Sequence, residues 1–360
     1  MPKTDFKPFR VGTVFNKIKS RVHTQKARFN RVLIKFPSRL NAMAIDPSKI
    51  VTNKNMHYSP GEIVFKVKIY KHIIVSRRHD NKMVLSTRSK RRVLILHSAS
   101  IMKKAIGFKH GLNIDVNNDS EKRHIGLGSS SGLIAGVACA INELYGNPII
   151  AKDLVPYLAQ NHGEEIDGTD SYLAPVQCIG GSAAAGLFKG GVLILSGESR
   201  VVFSANILSD LRVVIGVPSD FVESDSKSLL QEEIKSFSKF KETGRKFGKE
   251  IAYRLFHEAL PGLDAGSLIP LGNLIYDYRF KMGSIYNCSF TYAKLPLIAR
   301  RLSILKNKKL CDVLSLSSVG PAFFVITDKP KKCLNYFFKN RLHCQEVGIE
   351  NNLYSVISKQ

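Results

Sequence analysis

Ile125-Gly126-Leu127-Gly128-Ser129-Ser130-Ser131-Gly132-Leu133 is the stretch on which the reading of this chain turns. Glycines at Gly126 and Gly128 let the backbone take positive φ and approach a ligand closely. The serines open an apolar run from Leu133 to Leu144, interrupted by Asn142 and Glu143, and this predicts a helix from about Ser131 to Tyr145. Gly146 and Pro148 would stop it. The first turn of such a helix has unpaired N–H groups and the positive end of the dipole, so a phosphate fits there. The serine hydroxyls add donors, or an oxygen ligand for magnesium. No Gly-Lys-Ser/Thr follows at Walker A spacing, and the dinucleotide fingerprint is matched only imperfectly. A serine-capped helix with a tight glycine entry and no ligand is the plain structural alternative.

Working outward, Val32 to Ile34 and Leu40 to Ile45 read as short strands broken by Pro37 and Pro47. Ile63 to Val67, Ile69 to Val75, Met83 to Leu85 and Val93 to Leu96 read the same way, with a turn at His79-Asp80-Asn81-Lys82. Ser100 to Phe108 suggests a short helix and Leu112 to Val116 another strand. Downstream come a helix from Ala151 to Gln160, a Gly- and Asp-rich loop at 163–170, and a small-residue run before the strand Val192 to Leu195. Val213 to Val217 is strand-like, Ser228 to Leu260 is a charged helical stretch, and further helices extend to about Ile304. Val313-Leu314 and Phe323 to Ile326 are late strands. This order predicts an α+β protein with an N-terminal lobe at 31–209 and a second lobe at 210–360.

Composition narrows the class. A length of 360 residues is more than twice the usual domain of ~150, in keeping with two lobes. Hydrophobic residues at 44% and charged residues at 23% exclude a disordered chain, a collagen-like fibre or a coiled coil. Lys and Arg number 54 against 29 Asp and Glu, and the net charge of +25 favours anionic partners. Tryptophan is absent and no RNP-like aromatic stripe or zinc knuckle appears, which argues against a nucleic-acid-binding module. The six cysteines form no CxxC pair, so reduced thiols and a cytoplasmic location are expected. No apolar run reaches the ~18 residues of a membrane span. Residues 1–30 form a basic extension in which Val11, Val14, Phe15, Ile18 and Val22 fall at helical spacing.

The loop Gly126-Leu127-Gly128-Ser129-Ser130-Ser131 resembles the ATP phosphate loop, the second motif, of the GHMP small-molecule kinases. Phe36-Pro37-Ser38-Arg39-Leu40-Asn41 is similar to that family's first motif, with Ser38 in place of a glycine. Ser317-Ser318-Val319-Gly320-Pro321 is similar to its third. The three stand in the family's order and span roughly residues 31–330. Arg123-His124-Ile125 departs from the usual Pro-x-Gly opening, and the third motif is short of glycines. Both departures, and the run Gly180 to Gly191, resemble an outlying branch, the beta-ribofuranosylaminobenzene phosphate synthases, whose donor is phosphoribosyl pyrophosphate.

The resemblance implies a two-lobe architecture, with a left-handed βαβ-containing N-terminal lobe and a ferredoxin-like C-terminal lobe. It implies transfer of the γ-phosphoryl group of ATP, with magnesium, to a hydroxyl of a small polar metabolite. ATP would bind over Gly126, Leu127, Gly128, Ser129, Ser130 and Ser131. Gly168-Thr169-Asp170-Ser171-Tyr172-Leu173-Ala174 resembles the segment carrying the family's base, which makes Asp170 the expected base, Asp167 the fallback, and Arg39 its cationic neighbour. The competing reading of Asp170 is an Asx turn. Asn41, Gly320 and Pro321 would face the acceptor. Ser130 would contact magnesium together with Glu164, since the family's usual glutamate position holds Ala159.

Overall fold

The structure, a computed structural model, describes residues 7–18, 26–50, 59–117, 125–223 and 226–360. A two-residue strand, β1 (Phe9–Arg10), precedes the long antiparallel pair β2 (Arg31–Ala44) and β3 (Glu62–Arg77). The two short strands expected around Pro37 are therefore one. Proline is tolerated there because the ladder is irregular: the partners jump from Tyr70 at Pro37 to Val67 at Ser38.

β4 (Met83–Leu85), α1 (Arg92–Ile106) and β5 (Leu112–Asn117) form a parallel crossover unit. Val93 to Leu96 lie in α1 and not in a strand, because a short apolar run reads alike for a buried strand and a buried helix. α2 (Ser129–Leu144) and α3 (Ala151–Gln160) follow as expected. β6 (Glu164–Glu165) and β7 (Tyr172–Ala174) make a small sheet with β1. α4 (Gly181–Leu187) occupies the small-residue run, and β8 (Val192–Ser196) and β9 (Arg200–Ala205) close the lobe. α2 is buried along nearly its whole length beneath β2 and β3. Its small side chains permit this: a Cβ on Gly136 would stand 2.4 Å from Ile73.

The second lobe begins with β10 (Arg212–Pro218) and the long helix α5 (Ser226–Arg254). Helices α6 (Leu260–Asp264), α7 (Ile269–Tyr276), α8 (Ser284–Asn287) and α9 (Leu295–Asn307) lead to β11 (Val313–Leu316) and β12 (Phe323–Thr327). α10 (Pro330–Lys339) and β13 (Leu342–Gly348) complete a four-stranded antiparallel sheet in the order β11-β12-β10-β13. A strand, helices, a strand pair, a helix and a last strand in that spatial order are the ferredoxin-like arrangement. The end of the chain then departs from the expected 210–360 lobe, because β14 (Ser355–Lys359) crosses back to pair with β2.

The lobes share a core. Leu40, Ile63 and Phe65 of the first sheet pack with Val213, Phe324 and Ile326 of the second. The expected amphipathic helix of the extension is absent from its described part. Residues 7–18 hold β1 and a turn, with Gly12 at φ 79, and Val22 lies outside the described residues. The segment packs on the first lobe, where Phe15 and Asn16 donate backbone N–H groups to Asn161 Oδ1. No helix among the described residues is long and apolar enough to cross a membrane.

Candidate active site

The three sequence motifs meet at the seam between the lobes. Gly126 O accepts from Ser317 Oγ at 2.7 Å and from Arg39 Nη1 at 3.3 Å. Ser317 Oγ also accepts from Asn41 N, and Ser318 N donates to Asn41 O. Arg39 from the first motif and Ser317 from the third are thus tied to one carbonyl of the second. Gly126 (φ 91) has the Ser317 carbonyl 2.4 Å from where a Cβ would stand, and Gly128 (φ 66) directly precedes α2. The tight entry brings Ser129, Ser130 and Ser131, the first residues of α2, to the wall of a cavity of about 210 Å³.

That cavity shares Arg39, Ser131, His162 and Glu233 with a second, of about 240 Å³, which Asn41, Glu62 and Arg279 also line. Arg39 lines both spaces, and its buried Nε has no hydrogen-bond partner among the described residues. Beneath it, buried Glu62 accepts from Gly181 N at 2.6 Å and from Asn41 Nδ2, fixing β2 against the start of α4. Arg279 donates to Ala42 O at 2.7 Å and Ser284 Oγ at 3.1 Å, holding the second lobe against β2.

Several expected residues lie together. Gly126, Gly128, Ser129, Ser130, Ser131, Glu164 and Gly320 line the smaller cavity and Asn41 the larger. Leu127 packs on the shared core instead, and Pro321 lines neither space. Asp170 is exposed, in the turn before β7, and it too lines neither space, nor does Asp167. His124 lies outside the described residues. Glu233 of α5 was not anticipated. Burial pushes its carboxyl up to about 7, with help from the negative charge of Glu164. A charged surface-helix pattern gave no sign that one of its carboxylates faces the cavity.

The Ser130–Glu164 pair is present, with Ser130 Oγ donating to Glu164 Oε1 at 2.7 Å. Arg91 joins it. Its Nη2 donates to Ser130 Oγ at 2.6 Å and to Glu164 Oε1 at 3.0 Å, its Nη1 to Ser129 Oγ at 2.9 Å, and its Nε to Glu165 Oε2 at 2.6 Å. The oxygens alone are the hard donors magnesium prefers. With the guanidinium on them they do not fit a magnesium ion as they stand, and among the described residues no cluster of three or more His, Cys, Asp or Glu could hold a metal.

A two-lobe α+β fold with a glycine–serine loop at the lobe seam defines a class of fold, and the comparisons name it. Residues 93–182 match the family described as GHMP kinases N terminal domain, and the chain has the GHMP kinase fold over most of its length. It is similar to the homoserine kinase from Cytophaga hutchinsonii ATCC 33406, at 14% identity and TM-score 0.59, over 92% of this chain and 99% of that one. It is similar to the mevalonate diphosphate decarboxylase from Staphylococcus aureus, at 14% identity and TM-score 0.58, over 91% and 98%. A third similar structure is MDDEF in complex with MVAPP, AMPPCP and magnesium, at 12% identity and TM-score 0.59, over 91% and 99%. The sequence matches no curated protein.

Proposed function

We propose that this protein is an ATP-dependent small-molecule kinase. ATP would lie with its phosphates over Gly126 to Ser131, and the acceptor in the 240 Å³ cavity. The observation that carries this reading is the loop itself: positive-φ glycines deliver the start of α2 to a cavity that shares lining residues with a second, partly polar one. That AMPPCP, a nucleotide analogue, is held by the similar MDDEF supports ATP as the donor. The lining of Asn41, Glu62, Ser199, Gln177 and two arginines suits a small polar acceptor.

In the proposed reaction the acceptor hydroxyl oxygen bonds to the γ-phosphorus, the bond to the β-phosphate bridging oxygen breaks, and ADP leaves. The hydroxyl proton goes to a carboxylate. Glu233 suits that task better than Asp170, because it faces both cavities and its raised affinity for protons matches neutral pH. Arg39, which lines both cavities and whose Nε has no partner among the described residues, is suited to hold negative charge that develops between them.

The test is a panel of hydroxyl acceptors with ATP, read as ADP release. Saturable ADP formation that Ser130→Ala cuts at least about tenfold supports the reading. Turnover with phosphoribosyl pyrophosphate and an aromatic acid, releasing pyrophosphate and no ADP, would instead favour synthase-type chemistry.

A further inference from the structure

We propose that the Arg91 guanidinium occupies the Ser130 and Glu164 oxygens a divalent ion would need, so that ATP phosphates bind at the loop without such an ion joining them to the protein. The inference rests on the kinase reading above and goes beyond it.

Arg91 stands directly before α1 at φ 58, a left-handed conformation that costs an L side chain steric strain. The hydrogen bonds to Ser129, Ser130, Glu164 and Glu165 hold it there, with only 7% of the side chain exposed. A guanidinium does not lose its proton in this setting, and its planar fork matches paired oxygen acceptors. Ser130 and Glu164 supply oxygens 2.7 Å apart, a spacing suited to neighbouring corners of a magnesium octahedron. Nη2 is within hydrogen-bond reach of both. A dication on the same oxygens would face a fixed positive charge a few ångströms away. Removing the guanidinium to make room would strip a buried cation of its carboxylates. Arg91 also donates to Ser129 and Ser130, the residues that open α2, and so fixes their hydroxyls beside the helix N–H groups where the phosphates would rest.

Two measurements on the full chain test this. Titration calorimetry with ATP compares excess magnesium with EDTA. The expected affinities agree within about threefold, whereas a loss of about tenfold or more in EDTA would overturn the inference and leave the kinase reading intact. Absence of ATP binding in both conditions would overturn the kinase reading and this inference together. The second measurement needs no nucleotide: Mn2+ is titrated and the free ion followed by electron paramagnetic resonance. The wild-type chain should take up no Mn2+ at Glu164. Arg91→Met should open a site that Glu164→Gln in the same background abolishes, and its ATP affinity should become metal-dependent by about tenfold or more. Arg91→Lys, which keeps the charge without the fork, should stay metal-independent while binding ATP more weakly. Mn2+ uptake by the wild-type chain that Glu164→Gln removes would refute the proposal.

Discussion

Gly128→Ala probes the loop geometry with two separable costs. Gly128 sits at φ 66 and ψ 42, and an L side chain in that region costs roughly 1–2 kcal/mol. A Cβ there would also stand 2.6 Å from Ser182 Oγ and 3.0 Å from the Arg39 guanidinium. Moving Ser182 breaks its hydrogen bond with Ser131 Oγ, now 2.7 Å, for about 1 kcal/mol. Moving Arg39 loosens its contact with Gly126 O. Gly168 isolates the backbone cost, because it has φ 83 and nothing within 4 Å of its would-be Cβ. Urea unfolding should therefore find Gly168→Ala weaker by roughly 1–2 kcal/mol and Gly128→Ala by roughly 2–4 kcal/mol. Calorimetric titration should find ATP affinity reduced about tenfold or more for Gly128→Ala alone. Equal losses in the two variants, to within about 0.5 kcal/mol, would refute the packing argument.

Other expectations follow from the same geometry. The Glu233 carboxyl has a folded-state pKa of about 7 against an ordinary 4.5, so between those values the folded chain keeps a proton that the unfolded chain has lost. Stability should fall as pH rises through that window, and Glu233→Gln should flatten the slope of urea midpoint against pH. Once an acceptor is found, Glu233→Gln should lower kcat by about a hundredfold or more, whereas Asp170→Asn should change it by less than about threefold; the reverse pattern would return the base to Asp170. Deleting residues 353–360 removes the β14–β2 ladder and the bonds from Tyr354 and Lys359 to Glu143. The melting temperature should drop by at least about 5 °C, and an unchanged value would show that the returning strand contributes nothing.

The helices at 129–144 and 151–160 were legible because each carries its own signals: small or apolar residues in a long run and a nearby stop. Val93 to Leu96 misled because a short unbroken apolar run has the same pattern in a buried helix and a buried strand. The helical spacing at 11–18 misled for another reason: Phe9 and Arg10 pair with Leu173 and Tyr172, and such pairing outweighs local periodicity.

Sequence alone determined the glycine–serine turn into α2, since positive φ at glycine and unpaired N–H groups at a helix start are properties of a few consecutive residues. It also determined which three segments resemble the GHMP motifs. Tertiary structure alone decided what surrounds that loop. Arg91, Glu62, Glu233 and Arg279 come from a helix entry, a strand and two segments of the second lobe, each tens of residues away. In a chain with 54 lysines and arginines, no local pattern separates the arginine held against Ser129 and Ser130 from those facing solvent. Burial and the partners brought in by the fold make that distinction, and they exist only once the lobes have packed.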